Sequence, residues 1–184
     1  MAKLVEKAYG DALFDLSVDS SRVDELFEEA KAVKTVLVEN KELMNLLTHP
    51  KVDKEEKEKV VENIFKDRVS ADITGFMLLT IKKDRQKFLI RILDYYIDRV
   101  KEYKRIGVAT VTTAYEMDEE KKGAVERKLI ATTPYDSFEI TYIVDESLIG
   151  GMIIRVGDKV IDSSLKSQIE TMSRELYKIR LERW

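Results

Sequence analysis

The chain has 184 residues, 44% of them apolar, with a formal charge of −3 at neutral pH and no cysteine. This apolar share is typical of a globular protein that buries a core, and the balance of acids and bases argues against a protein held on nucleic acid by a strong overall positive field. The lack of cysteine excludes disulfides, a thiolate nucleophile and cysteine-based zinc sites. No apolar run is long enough to span a bilayer, so we expect any membrane link to run through a partner.

The apolar residues recur with a helical period almost throughout the first 105 positions, which predicts an all-α six-helix bundle over residues 1–105. Capping-box spacings open the second helix at Ser21 and the fourth at Asp53. The third helix ends before Pro50, since the residue before proline avoids helical backbone angles. The six predicted helices span about residues 3–16, 21–37, 43–47, 53–65, 70–82 and 85–104.

The first and fifth predicted helices carry more apolar surface than one core contact requires. On the first, the apolar arc covers half of the helical wheel, and on the fifth the apolar side chains point in nearly every direction. A helix that is apolar all round is buried all round, so we expect the fifth helix to be central in the bundle or covered by another chain. The two arcs contain Leu4, Val5, Ala8, Tyr9, Ala12, Leu13 and Leu16, and Ile73, Phe76, Met77, Leu78, Leu79 and Ile81.

Beyond residue 105, β-branched residues and period-two runs predict a small α/β domain over residues 106–184, and hence an α+β fold for the whole chain. Asp118 is placed to cap a short helix, and Gly157-Asp158 predicts a two-residue hairpin turn. Ser163 or Ser164 is placed to cap a final helix with a heptad-like stripe, which we expect to cover the sheet. Strands are predicted at 106–115, 138–144, 149–156 and 159–161, and the stripe contains Leu165, Ile169, Met172, Leu176 and Ile179.

The residue types that carry catalysis are scarce. His49 is the only histidine, which excludes a catalytic triad and a multi-histidine metal site. Gly150-Gly151 leads into a strand and lacks the phosphate-loop spacing, so a bend with close backbone approach is the better interpretation. Three aspartates could form a divalent metal site, but each also has an ordinary role at a strand end, a turn or a helix cap: Asp145, Asp158 and Asp162. The sequence therefore predicts neither an enzyme nor a bound cofactor or metal.

A locally basic segment, residues 82–105, leaves an alternative open. Its lysines and arginines are interleaved with Tyr95, Tyr96 and Tyr103, and a basic aromatic surface can bind single-stranded nucleic acid. Acidic residues dilute the segment, and such a pattern is more often a solvated helix face with inward-packed tyrosines. One alternative hypothesis is a helical nucleic-acid-binding protein that uses this face, and the other is a small enzyme, which would need a pocket with titratable groups of perturbed pKa.

One long segment, from Val144 to Leu165, resembles the C-terminal signature of the ATP synthase delta subunit family. The mitochondrial relative in that family is the oligomycin-sensitivity-conferring protein. This segment departs at Ser163, where the family commonly has glycine, and Gly10 replaces the family's usual alanine in the N-terminal pattern. Further matches in order and spacing extend the resemblance over essentially the whole chain: Tyr9 to Phe14, Leu47 to Pro50, Phe76 to Leu79, Arg85, and Val111 to Tyr115.

The resemblance implies a non-catalytic stator subunit in the peripheral stalk of a proton-translocating F-type ATP synthase. It implies that the N-terminal helix of an alpha subunit lies in a groove between the first and fifth helices, and that residues 106–184 engage the C-terminal end of the b-subunit stalk. One copy per complex would sit at the cytoplasmic face of the cell membrane, joined to the membrane only through the b subunit, with no nucleic acid bound. The expected groove residues are Tyr9, Ala12, Leu13, Leu16, Phe76, Met77, Leu79 and Thr80.

Overall fold

The computed structural model describes the backbone of residues 2–181 and the side chains of residues 3–174. Within the described backbone the chain forms eight α-helices and one four-stranded mixed sheet, which confirms the α+β class. The chain divides into two compact units, Met1–Tyr103 and Lys104–Trp184. None of the helices within residues 2–181 combines the length and the apolar character that crossing a membrane requires.

The first unit is helical, and its described residues contain six α-helices and one 3-10 turn at Gln86–Phe88. Burial follows the helical period, so each helix turns an apolar stripe toward a shared core. The last helix of the unit packs against the first two, and the fourth packs against the fifth. The six helices are α1 (Ala2–Asp19), α2 (Val23–Glu39), α3 (Lys41–Thr48), α4 (Lys54–Phe65), α5 (Ala71–Lys82) and α6 (Leu89–Tyr103).

The two predicted capping boxes do not form. Ser21 has a φ of 55° and its backbone N–H donates to Val18 O at 3.0 Å, so it belongs to the end of α1. The N-cap of α2 is Arg22, which makes no side-chain capping bond. Asp53 stands at the N-cap of α4 as predicted, but its side chain does not bond the helix N-terminus either. The capping-box spacings therefore predict where the two helices start to within a residue or two, but the capping hydrogen bonds that they imply do not form.

The second unit contains a four-stranded sheet with strand order β2-β1-β3-β4. The two central strands, β1 and β3, are antiparallel, whereas β1 and β2 are parallel and joined through helix α7. Helix α7 buries Val125 and Leu129 in the core of this unit with Ala109 and Val111 of β1. The elements are β1 (Ile106–Thr113), α7 (Glu119–Thr132), β2 (Ser137–Val144), β3 (Met152–Val156), β4 (Lys159–Asp162) and α8 (Leu165–Leu181).

The strand predicted from residue 149 begins only at Met152. Ile149 has a φ of 65° and Gly151 a φ of 75°, so the backbone bends before the strand starts. A Cβ at Gly151 would lie 2.3 Å from Ser163 O, which confirms the predicted close backbone approach. The hairpin between β3 and β4 turns through Gly157, whose φ is 55°, and is confirmed as well.

The expectation that the stripe on α8 covers the sheet is wrong. Leu165, Ile169 and Met172 are 45%, 55% and 62% exposed. Helix α7 packs on β2 and on the central strand β1, and α8 contacts mainly the 3-10 turn at Glu146–Leu148. The side chains of Leu176 and Ile179 lie outside the described residues. The described part of the stripe is an exposed apolar surface.

Candidate functional site

An apolar groove of about 570 Å³ lies between α1 and α5. Tyr9 and Phe76 meet edge to face across it, with ring centroids 6.4 Å apart. Leu16 and Leu79 are 40% and 46% exposed at its sides. Eleven residues line this α1–α5 groove: Ala8, Tyr9, Ala12, Leu13, Leu16, Ala71, Asp72, Gly75, Phe76, Leu79 and Lys83.

The groove exists because α5 has two apolar faces. One face packs into the core of the first unit through Ile73, Met77 and Ile81, which are fully buried. The other face repeats at three- and four-residue steps through Phe76 and Leu79. Helix α1 packs mainly on α6, so no helix of the described chain fills the space between α1 and α5.

Six of the eight expected groove residues line the groove. Met77 and Thr80 do not line it. Both are fully buried, and the Thr80 hydroxyl donates to Met77 O at 2.6 Å. At 100° per residue Met77 lies 100° from Phe76 and Thr80 lies 100° from Leu79, both turned toward the core face of α5. The six expected residues that line the groove are Tyr9, Ala12, Leu13, Leu16, Phe76 and Leu79.

The sequence prediction missed five groove residues, and most of them are small. Gly75 is exposed in the middle of α5, and a Cβ added there would meet nothing within 4 Å. A helical glycine costs up to ~1 kcal/mol relative to alanine, and no packing inside the chain requires one here. Steps of three and four residues from Ala12 and Leu79 would have found these positions. The five are Ala8, Ala71, Asp72, Gly75 and Lys83.

Charged side chains stand only at the two ends of the groove lining. At the start of α5, Asp72 Oδ2 accepts from Arg22 Nη1 at 2.6 Å. Arg22 also donates to both carboxylate oxygens of Glu25, at 2.8 and 2.7 Å. The hydrogen bond to Glu25, with the charge of Asp72, raises the pKa of Arg22. At the other end, Lys83 makes no ion pair with the described side chains. The groove lining therefore has a paired carboxylate at one end and an unpaired cation at the other.

A second apolar groove, of about 500 Å³, lies in the second unit between α7 and strands β3 and β4. It forms because α7 packs on the β2 and β1 side of the sheet and leaves part of β3 and β4 open. Together with the exposed stripe on α8, it gives this unit apolar surface that its own elements do not cover. The groove residues are Ala124, Val125, Lys128, Leu129, Thr132, Met152, Ile154, Ile161 and Ser163.

Two of the three tyrosines on the basic face proposed for nucleic acid are held by contacts within the chain. Tyr96 is fully buried. The Tyr95 hydroxyl donates to Asp11 Oδ1 at 3.0 Å, and desolvation together with this bond raises the pKa of Tyr95. Arg99 Nη1 donates to Glu102 Oε2 at 2.8 Å. Tyr95 and Tyr96 are therefore not free to stack on bases.

The aspartates considered for a metal site form local turns and caps. Asp145 Oδ1 accepts from the backbone of Ser147 at 2.9 Å. Asp162 accepts from Ser164 N at 2.8 Å and from the Ser167 hydroxyl at 2.6 Å, and these bonds lower the pKa of Asp162. Among the described side chains, no three acids or histidines converge as metal ligands would.

The sequence matches the family model described as the ATP synthase delta (OSCP) subunit over residues 5–176. It is 54% identical over 181 residues to the ATP synthase subunit delta of Lachnoclostridium phytofermentans, covering 98% of this chain and 100% of that protein. It is 33% identical over 174 residues to the ATP synthase subunit delta of Prochlorococcus marinus strain MIT 9301, covering 95% of this chain and 97% of that protein.

The fold is also found in a solved structure. A chain in the cryo-EM structure of the Toxoplasma gondii mitochondrial ATP synthase hexamer superposes with a TM-score of 0.72. The match covers 94% of this chain and 97% of that chain at 15% sequence identity, so it shows a shared fold.

Proposed function

Since this chain belongs to the ATP synthase delta (OSCP) subunit family, we propose that it is the non-catalytic stator subunit that links the catalytic head to the b-subunit stalk of a proton-translocating F-type ATP synthase. The observation that carries this proposal is the apolar α1–α5 groove, which no element of the described chain fills. One copy per complex would serve, because a single link between head and stalk is sufficient.

The proposed occupant of the α1–α5 groove is the N-terminal helix of an alpha subunit. A groove between two helices with apolar walls fits an amphipathic helix, which lays its apolar face into it. Burial of apolar surface there contributes roughly 25 cal/mol per Å², less the cost of ordering the helix. Ala12 and Gly75 lie on the groove and are exposed, so a partner backbone can approach closely at these two positions.

The proposed partner of the second unit is the C-terminal end of the b-subunit stalk. Leu165, Ile169 and Met172 are spaced by four and three residues, the spacing with which helices pack in a coiled coil. Their exposure leaves this stripe open to a helix from another chain. The groove between α7 and the sheet adds a second apolar surface in the same unit.

Holding both partners at once gives the subunit its mechanical role. In rotary catalysis a central shaft turns inside the head, and without a stator the head would turn with the shaft. Proton flow would then yield no ATP. We therefore place the subunit at the cytoplasmic face of the cell membrane, joined to the membrane only through the b subunit.

The test is a calorimetric titration of the full-length protein with a synthetic peptide of the alpha-subunit N-terminal helix from the same organism. Ala12→Asp puts an unpaired carboxylate into the groove, which should cost several kcal/mol of affinity. Ala12 is exposed, so the fold should survive. The matched control is Ala32→Asp, at an exposed alanine on α2 outside the groove.

We expect the wild type and the Ala32 variant to bind the peptide alike and the Ala12 variant to lose binding with an unchanged thermal melt. Equal binding by both variants would remove Ala12 from the contact. Absence of binding by the wild type would remove the groove as the alpha-subunit site.

A further inference from the structure

The turn that follows α5 carries four basic residues and one acid, and it borders one end of the α1–α5 groove. Lys83 itself lines the groove. We call residues 82–87 the basic turn; its charged members are Lys82, Lys83, Asp84, Arg85 and Lys87. This segment belongs to the basic stretch for which nucleic acid was the alternative ligand.

Contacts within the chain neutralise only part of the basic turn. Asp84 Oδ2 accepts from Lys54 Nζ at 2.6 Å, so the single acid is already paired from outside the turn. Lys82 Nζ lies 3.9 Å from Glu58 Oε2. Neither Lys83 nor Arg85 makes an ion pair with the described side chains, and both are exposed. The turn therefore keeps unpaired positive charge at the mouth of the groove.

At the opposite end of the groove, the charged residue of the lining is already paired. Asp72 is paired with Arg22 at 2.6 Å and lies about three helical turns before Lys83 along α5. A helix that fills the groove thus meets a satisfied ion pair at one end and an unpaired cation at the other. Covering Lys83 with an apolar or basic side chain would desolvate a charge without a partner, which is costly.

We infer that the groove selects an amphipathic helix whose end beside the basic turn carries one or more carboxylates. Lys83 is the residue that pairs with these carboxylates. This inference rests on the proposed docking of a helix in the α1–α5 groove. It assigns the unpaired charge of the basic turn to protein recognition. A charge at the rim acts mainly on association rate and salt dependence, and it excludes partners with a basic end.

The test compares Lys83→Glu with Lys59→Glu in the full-length protein. Lys59 is an exposed lysine on α4 that lies outside the groove and makes no ion pair with the described side chains. The probe is the synthetic alpha-subunit peptide, titrated at low and high salt. We expect Lys83→Glu to weaken binding about tenfold at low salt and Lys59→Glu to leave it within about twofold. The difference should shrink at high salt, because exposed charges are screened.

A second probe identifies the partner group. A peptide with its terminal acids replaced by glutamine should lose affinity for the wild type but not for Lys83→Glu, as a double-mutant cycle requires of a direct pair. Equal binding by the Lys83 and Lys59 variants, or additive losses in the cycle, would overturn the inference and leave the groove proposal standing. Failure of the wild type to bind either peptide would overturn the groove proposal itself.

Discussion

Glu29 of α2 holds the first turn of α5 through Ser70. Its Oε1 accepts from the Ser70 backbone N–H at 2.9 Å and its Oε2 from the Ser70 hydroxyl at 2.5 Å. The same hydroxyl oxygen accepts from Ile73 N at 3.4 Å as the N-cap of α5. The ion pair between Arg22, the N-cap of α2, and Asp72, two residues beyond Ser70, joins the same two helices. Helix α2 thus fixes the end of α5 that forms one wall of the groove.

Replacing Glu29 with glutamine removes one of these acceptors, because an amide nitrogen cannot accept from Ser70. We expect the free energy of unfolding to fall by about 1–2 kcal/mol. The matched control is Glu28→Gln, an exposed neighbour whose carboxylate lies 3.4 Å from Lys31 Nζ, and it should change stability by less than about 0.5 kcal/mol. Urea unfolding of both variants measures the difference. Equal losses would show that the contact with Ser70 does not anchor α5.

Gly75→Ala should have opposite effects on stability and on docking. An added methyl group at this exposed helical position meets open space, so the helix should gain about 0.5–1 kcal/mol of stability. The same methyl group projects into the groove and should weaken binding of the alpha-subunit peptide. Gly123→Ala on α7 is the control, because only the end of the flexible Arg127 side chain lies near its added Cβ, at 3.3 Å.

Thermal melts and peptide titrations of the two glycine variants separate these effects. Both variants should melt at a higher temperature, and only Gly75→Ala should bind the peptide more weakly. A Gly75 variant that gains stability and binds the peptide as tightly as the wild type would contradict close approach of a partner at this position.

Gly10→Ala should destabilise the protein, although the same change on the exposed face of α5 stabilises it. A Cβ at Gly10 would lie 2.3 Å from the Tyr95 ring, which packs against the α1 backbone. The ring is also held by its hydroxyl bond to Asp11. Overpacking of this kind costs about 1–3 kcal/mol. Chemical unfolding measures this loss of stability. In a background that carries Tyr95→Ala, the change Gly10→Ala should no longer cost stability. An undiminished loss in that double variant would refute the clash.

The contribution of Asp118 to stability should depend on pH. Its ion pair with Lys121 at 2.9 Å and the bond it accepts from Lys121 N at 2.8 Å lower the pKa of Asp118 below its ordinary value of 3.8. The unfolded chain therefore binds a proton more readily than the folded one. The stabilisation is present above the unfolded pKa and is lost as the pH falls through the lower folded pKa.

Asp118→Asn keeps an N-cap acceptor but cannot titrate. We expect the wild type to melt above the asparagine variant at pH 7, and the gap to close as the pH is lowered through the carboxylate range. Thermal melts across this range measure the gap. A gap that stays constant or widens toward acid would show that the carboxylate charge does not stabilise α7.

The sequence predicts the core faces of the helices well, because burial follows the 3.6-residue period wherever one face is apolar. It fails on α5, where both faces are apolar and the period alone does not say which is covered. Met77 and Thr80 therefore fit either face by their spacing although both are buried, and Gly75 and Lys83 line the groove without being large apolar residues. Which face of α5 is covered depends on where α1 packs. Helix α1 packs on α6, and these two helices lie far apart in the sequence.

Local signals fail where a longer-range contact decides the backbone. Ser21 has the spacing of a capping box, yet it completes the turn that ends α1. The stripe on α8 has the spacing of a buried face, yet its described residues Leu165, Ile169 and Met172 stay exposed, and α8 contacts mainly the 3-10 turn at Glu146–Leu148. Hydrophobic spacing gives the geometry of a packing surface and does not identify the chain that packs on it.

The exposed stripe on α8 yields the last prediction. Ile169 is 55% exposed and makes no contribution to either buried cluster, so Ile169→Asp should leave the thermal melt unchanged. In a coiled-coil contact with the b-subunit stalk, the same carboxylate would be buried without a partner, at a cost of several kcal/mol. Thr171→Asp puts the same charge on an exposed position about 200° around the helix and serves as the control. In co-precipitation with the b subunit, the Ile169 variant should be lost and the Thr171 variant retained, while both still bind the alpha-subunit peptide. Retention of both variants would place the stalk contact elsewhere in the second unit, with the groove between α7 and the sheet as the next surface to change.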